Sequence, residues 1–311
     1  MITRDLARYG GRGWSIMRAG VSVVGSLNHD IAVTLDRLPA AGETVAGGPA
    51  CRGVGGKGAN QAVALARLGR HARMVGAVGA DAEGVALRAA LDAEGIDVAD
   101  VATVDGPSGT AIVLVHGGES TIVVSAGAND RLDAERVRAA AGTLAQAAAV
   151  LVQCEVPDGA LVAAAELASG FYVVNPAPAR PLPETVLNRA DILVPNLTEL
   201  ATLAGGPVPE DLDGIVDLAR ALRPAAATVV TRGGDGAVVV EPTGVVRVPA
   251  VAATLVDATA AGDSFVAALT DALLDGVSLA DAARWAARVA AVTVSRPGAS
   301  ASLPRRAEVP A

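Results

Sequence analysis

The chain has 311 residues, of which 51% are hydrophobic and 19% charged, so it can bury a large core and is too apolar to be disordered. A net charge of −8 and only two residues each of Trp, Tyr and Phe argue against nucleic-acid binding, which needs a basic groove with aromatic platforms. No apolar run reaches the roughly 18 residues that span a bilayer, and residues 1–16 lack the apolar stretch of a secretory signal.

Residues 1–16 are therefore expected to be a flexible extension, and 17–311 one large domain. A short apolar strand is predicted over Val21–Gly25, then an extended segment over Ile31–Ala50 with Pro39 and Gly42 as breakers. A helix over Lys57–Leu68 places Ala62, Leu65, Ala66 and Leu68 on one side and stops at Gly69. A strand over Ala72–Val78 and a helix over Glu83–Ala93 follow. The arms Thr110–Val115 and Thr121–Ser125 flank His116-Gly117-Gly118-Glu119, a hairpin pattern. Alternation then resumes with a helix Ala134–Ala147, strand Val150–Gln153, helix Gly159–Ala168 and strand Tyr172–Asn175. Next come strand Ile192–Pro195, helices Thr198–Ala204 and Leu212–Leu222, and strand Thr228–Thr231. Two long helices, Ser264–Leu274 and Leu279–Val294, end the pattern. Strands alternating with helices of this length predict an α/β fold with a mostly parallel sheet covered on both faces. The hairpin arms are apolar on both faces, so a small projecting sheet needs a second cover, most simply the same sheet of another subunit.

Cys51 and Cys154 are far apart and outside any C-x-x-C spacing, which suits two reduced thiols in the cytoplasm. His29, His71 and His116 form no metal-ligand pattern. Lys57 is the only lysine. It survives in the loop Gly53-Val54-Gly55-Gly56-Lys57-Gly58 either by chance or because a compact ammonium and a guanidinium are not equivalent there. That loop satisfies G-x-G-x-x-G only formally: a dinucleotide fold would set it after the first strand, and Gly58 stands where a Walker A loop needs Ser or Thr. Asn28 and Asp30 follow the first strand, where α/β sheets bind ligands; turn formation explains them equally well.

The most informative stretch is Val256-Asp257-Ala258-Thr259-Ala260-Ala261-Gly262-Asp263-Ser264-Phe265. Small residues running into a helix start let several N–H groups converge on one anion, with the helix dipole behind them. Asp263 at its lip is placed either to cap the helix or to receive the proton of a hydroxyl presented to a phosphate. The turn alone leaves both readings open.

Six motifs in order decide between them. Gly25-Ser26-Leu27-Asn28-His29-Asp30, Gly55-Gly56-Lys57-Gly58-Ala59-Asn60-Gln61-Ala62, Asn175-Pro176-Ala177-Pro178-Ala179-Arg180, Pro195-Asn196-Leu197-Thr198-Glu199, Thr231-Arg232-Gly233-Gly234-Asp235-Gly236 and the Asp257–Asp263 turn resemble the ribokinase-like carbohydrate kinase family, from about residue 20 to 304. Within it the Asn28/Asp30 pair, the Gly55–Gln61 loop and Asn175–Arg180 resemble the ribose kinases more than the fructokinases or nucleoside kinases. The resemblance implies a three-layer α/β domain with a small β-sheet lid, about residues 31–52 and 107–126, that also forms a homodimer. It implies ATP-dependent phosphorylation of the 5-hydroxyl of D-ribose, with Asp263 as base and Ala260, Ala261 and Gly262 as anion hole.

By the same resemblance Asn28, Asp30, Gly56, Lys57, Asn60 and Glu155 hold the sugar. Asn196 and the loop Thr231, Arg232, Gly233, Gly234, Asp235 and Gly236 line the ATP site, and Glu199 helps place Mg²⁺ through water. Asp257, Thr259, Thr293, Arg296, Gly298 and Ser302 match a K⁺ site. Ala258 stands where the family usually has Thr, and Ala287 where a larger residue often meets adenine, departures that bear on nucleotide affinity. A kinase for another furanose, a nucleoside or a keto-sugar acid, and a sensor that kept the fold without catalysis, are the competing readings.

Overall fold

In the computed structural model residues 20–117, 119–222 and 227–310 are described; the extension expected over residues 1–16 lies outside them. The parallel strands are β1 (Val21–Val24), β4 (Ala72–Gly79), β5 (Val101–Val104), β8 (Ala149–Gln153), β9 (Phe171–Asn175), β10 (Ile192–Leu193) and β11 (Ala227–Thr231). An antiparallel hairpin, β12 (Ala237–Glu241) and β13 (Gly244–Val248), extends one edge. The nine strands run in the order β13-β12-β11-β10-β9-β8-β1-β4-β5. With β1 between β4 and β8, the chain reverses its winding there, and the carboxyl ends of β1 and β8 open on the crevice where such sheets bind ligands.

Period-two alternation along each strand feeds two cores. Val21, Val23, Leu151 and Val173 face one side with Leu65, Leu87, Leu269 and Val289. Those residues come from helices α1 (Lys57–Arg67), α2 (Ala82–Ala93), α9 (Ala261–Leu274) and α10 (Leu279–Val294). Val24, Val150, Val152 and Val174 face the other side with Val137, Leu144, Leu161 and Val186, from α3 (Ala134–Ala139), α4 (Ala141–Gln146), α5 (Asp158–Leu167) and α6 (Glu184–Arg189). Helices α7 (Leu197–Ala204) and α8 (Leu212–Leu222) cover the β11–β12 end through Leu200 and Ile215. The result is the expected three-layer α/β arrangement. Among the described residues no helix is long and apolar enough to cross a membrane.

A separate four-stranded sheet runs in the order β3-β2-β6-β7, with β2 (Asn28–Thr34), β3 (Cys51–Gly55), β6 (Gly109–His116) and β7 (Glu119–Ser125). The hairpin pairs Ala111 with Val124, Ile112 with Val123 and Val113 with Ile122. Ala111, Val113, Ile122 and Val124 line the cleft below, while Ile112 and Val123 on the opposite face are 46% and 59% exposed.

Three expectations are corrected. The single helix Ala134–Ala147 is two, broken at Ala140 with ψ turned to 18°; alanine favours helix at every position and so carries no signal of the break. The strand over Ile192–Pro195 is regular only at Ile192 and Leu193, although Val194 N–H still donates to Val174 O (2.8 Å) and Pro195 O accepts from Thr231 N–H (2.9 Å). Asn28 and Asp30 do not follow β1 as a turn but open β2, so the small sheet itself brings them to the site. Strands β5, β12 and β13 and helix α6 were not anticipated.

Candidate active site

The carboxyl ends of the main sheet, the small sheet and the N-termini of α1, α7 and α9 enclose a cleft of about 360 Å³. At its floor Ala260 is left-handed (φ 60°), the only described non-glycine residue with positive φ, a conformation costing roughly 1–2 kcal/mol for an L-residue. This turn starts α9. The Ala261 N–H donates to Ala258 O (3.2 Å), and the first helical bond runs from Ser264 N–H to Ala260 O (2.9 Å). The N–H groups of Gly262 and Asp263 thus lie in the first turn, ahead of the α-helical ladder, at the positive end of the helix dipole.

Asp263 is 5% exposed and held at both oxygens: Asn60 Nδ2 donates to Oδ2 (2.9 Å) and Gln61 Nε2 to Oδ1 (3.1 Å). Burial pushes its carboxyl above the ordinary range, opposed by Lys57 and by these two donors, while Glu155 pushes it further up. Burial acts to lower the Lys57 ammonium, but Asp263, Glu155 and Glu199 outweigh it and hold lysine above its usual value. Lys57 opens α1. Its N–H donates to Glu155 Oε2 (3.0 Å), which also accepts from Ser26 Oγ (2.5 Å).

Asp30 is pushed up to about 7 by burial and by the nearby Glu155 and Asp263. Its Oδ1 is buried without a partner, and a Cβ on Gly55 would collide with the carboxylate, so the glycine loop makes room for this side chain. Asn28 Oδ1 accepts from Asn129 Nδ2 (2.8 Å), which leaves its own amide N–H₂ as the group free to donate. Asn129 is anchored in turn on the Leu27 backbone, accepting from Leu27 N–H (2.9 Å) and donating to Leu27 O (3.2 Å).

Asn196 and Glu199 form a capping box on α7, and both Glu199 oxygens accept from Asn196, from its N–H and its Nδ2 (both 2.8 Å). Burial raises the Glu199 carboxyl, against the Asn196 bond and Lys57. Thr231 lines the cleft; Arg232, Gly233, Gly234, Asp235 and Gly236 do not, forming instead a turn beyond β11 closed by Arg232 and Asp235 (3.3 Å). Asp257 accepts from the N–H groups of Thr259 and Gly298 (both 2.8 Å). These bonds hold its carboxyl below the usual range although burial raises it. Thr293 and Ser302 are buried, and the Arg296 side chain turns away to Glu308 (3.0 Å). Among the described residues no three His, Cys, Asp or Glu side chains cluster as a metal site.

A carboxylate beside the amino end of a helix, facing a polar cleft, can take a proton from an alcohol while the helix end stabilises an attacked phosphoryl group. Residues 18–306 match the family described as pfkB family carbohydrate kinase. The chain belongs to this carbohydrate kinase family.

It is 36% identical over 305 residues to the ribokinase of Schizosaccharomyces pombe, covering 93% of this chain and 96% of that one. With the Bacillus subtilis ribokinase it shares 37% over 294 residues, covering 93% and 97%. The structure of Arabidopsis thaliana ribokinase complexed with ribose and ATP superposes with a TM-score of 0.84 at 32% identity, covering 94% and 98% of the two chains.

The kinase also gathers residues to which sequence reasoning gave no role. Gln61 and Asn175 stand inside quoted motifs, but Gln153 and Asn129 carried a weaker signal. Gln153 is a polar residue closing the apolar run of β8, and Asn129 sits in a short 3₁₀ turn. Their partners are 92 and 101 residues away, a distance no local pattern spans.

Proposed function

We propose that the kinase transfers the γ-phosphoryl group of ATP to the 5-hydroxyl of D-ribose, with Asp263 taking the hydroxyl proton. The observation that carries this is the buried Asp263 carboxylate, held by two amides at the first turn of α9 and opening on the cleft. The relatives named ribokinase and the solved complex with ribose and ATP support the choice of substrates.

Asn28, Asp30, Gly56, Lys57, Asn60 and Glu155 hold the sugar. The Asn28 amide donates to a sugar oxygen, because Asn129 occupies its carbonyl, and the unpartnered Asp30 oxygen accepts from a neighbouring hydroxyl. As the O5–H proton passes to Asp263, O5 bonds to the γ-phosphorus. The bond to the β–γ bridging oxygen breaks, and ADP leaves with the electron pair. The turn Ala260, Ala261 and Gly262, with the α9 dipole, meets the charge on the transferring group. Asn196, Thr231 and the loop Arg232–Gly236 receive the rest of the nucleotide.

Two cations fit the same reading. The Glu199 carboxylate, engaged at both oxygens by Asn196, retains lone pairs for a water of a hydrated Mg²⁺ but is poorly placed to bind the ion directly. Asp257, Thr259, Thr293 and Ser302, with the backbone oxygens of Arg296 and Gly298, offer oxygen donors, which suit K⁺. Bound there, these ions would supply positive charge to the phosphates and to the anion-hole turn.

A coupled ADP-release assay over a panel of sugars and nucleosides tests the reading, with turnover of ribose expected. Turnover of a nucleoside and not of ribose would replace the substrate and spare the chemistry. The KM for ribose should rise as pH falls through about 7, because a protonated Asp30 loses an acceptor. A KM flat across that window, measured with kcat, would remove Asp30 from the sugar site. The exposed Ile112 and Val123 face would be covered by the same sheet of a second copy, and light scattering should then give the mass of a homodimer. A monomeric mass at assay concentration would be the contrary result. The free thiols of Cys51 and Cys154 suit a reducing compartment, and the enzyme is assigned to the cytoplasm.

A further inference from the structure

We propose that Gln61 and Gln153 are positioning residues for Asp263, a buried pair of amides that aims one hydrogen-bond donor at the carboxylate and keeps it ionised. The inference rests on the reading of Asp263 as proton acceptor.

An ionised carboxylate only accepts hydrogen bonds. Gln61 must therefore present its N–H₂ to Asp263, and that group reaches both Asp263 Oδ1 and Asn175 Oδ1 (both 3.1 Å). Its carbonyl is thereby turned away, where it accepts from Gln153 Nε2 (2.6 Å). The orientation of Gln153 follows in turn. Its own Oε1 is left buried without a partner, against the Gly25 backbone, where a Cβ would collide with it.

A buried carbonyl without a donor is costly. Turning the Gln153 amide over would set two carbonyl oxygens against each other, and turning Gln61 over would set one against the carboxylate. The arrangement therefore accepts one unsatisfied atom at Gly25 so that a donor faces Asp263. Both glutamines are 0% exposed and neither lines the cleft, so they act through Asp263 and not on the sugar.

The charged groups facing Asp263 are Lys57 of α1, Glu155 beyond β8, Asp30 of β2 and Glu199 of α7. Lys57 alone among them favours the carboxylate. Burial and the three acids oppose it, so the donors from Asn60 and Gln61 bear directly on which protonation state is present. Asp30, pushed up to about 7, acts through sugar binding, so kcat at saturating sugar reads Asp263.

The test compares Gln61→Met, Gln153→Met, the double variant and Asp263→Asn for kcat and KM across roughly pH 5–9. Gln61→Met should lower kcat at neutral pH roughly 10- to 100-fold, the scale of one hydrogen bond to a charged group. Its sugar KM should stay within about threefold, and its acid limb should move to higher pH because a donor to the charged form is gone. Gln153→Met should act in the same direction and less strongly. The double variant should be no slower than Gln61→Met, since Gln153 works only through Gln61.

Gln153→Glu should restore most activity, because burial keeps the new acid protonated and its O–H replaces the amide donor. Sugar binding by calorimetry identifies any variant that has not folded, and the Gln153→Glu profile then carries the test. An unmoved acid limb, or independent multiplying effects in the double variant, overturns the relay. Should Asp263→Asn itself keep its kcat, the base assignment fails instead. Loss of kcat in Asp263→Asn with wild-type behaviour in the glutamine variants sinks the relay alone.

Discussion

Asp263→Asn is expected to lower kcat by roughly 10²–10⁴-fold, the usual scale for removing a general base, while the KM for sugar changes little. The substitution keeps the volume of the side chain and its place in the first turn of α9. The proposed proton acceptor is lost, and the amides of Asn60 and Gln61, which both donate to the carboxylate, can no longer both be satisfied, since one face of the new side chain is a donor. The sugar contacts proposed for Asn28, Asp30, Lys57 and Glu155 remain, so binding should be spared. Steady-state kinetics with ADP detection measures both terms. A variant with near-normal kcat would mean that another group takes the proton and that Asp263 serves the helix start alone.

The largest effect on stability is expected from Asp271, far along the same helix and outside the cleft. Its fully buried carboxylate accepts from Arg70 Nε (2.7 Å), Arg306 Nη2 (2.6 Å) and Trp285 Nε1 (3.1 Å). Arg306 also stacks over the Trp285 ring at 5.3 Å and donates to Leu68 O (2.7 Å). One carboxylate thus joins α9, α10, the turn after α1 and the C-terminal segment. Asp271→Ala leaves the Arg70 Nε, on a side chain only 7% exposed, without its acceptor while Arg70 keeps its pairing with Asp275 and the Asp271 carbonyl, and should cost about 3 kcal/mol, the upper end for a buried donor left unmet. The shift in the denaturant midpoint checks this. A loss below about 1 kcal/mol would show that water reaches the arginines and replaces the acid. Activity per folded molecule should be unchanged, because the cluster does not reach the cleft.

Much of the fold was legible because its signals are local. Apolar runs bounded by glycine set the strands, and the helices Leu212–Leu222 and Leu279–Val294 have the predicted limits. The errors fall where local chemistry is uninformative: alanine at the Ala140 break, and the short strands β5, β12 and β13 at and beside the sheet edges. The site was legible in part for a similar reason. Lys57, Asn60 and Asp263 stand in motifs whose small residues announce a close approach of backbone to ligand. Asn196 and Glu199 are singled out by the resemblance alone, and the structure shows that they also build the capping box that starts α7.

For the reaction, the amino-acid sequence by itself determined the carbohydrate kinase family and the carboxylate that ends the Ala260–Gly262 turn, because motif order and residue type survive without coordinates. Only the tertiary structure decided how that carboxylate is held. Asn60 and Gln61 lie more than 200 residues from Asp263 in sequence, and their bonds exist only because α1 and α9 pack side by side on the main sheet. The same is true of Asp30 and Asn28, which pairing in the small sheet, and not their place after β1, carries over the cleft. Hydrogen-bond partners are set by which surfaces fold onto each other, and that long-range information is absent from any single stretch of chain.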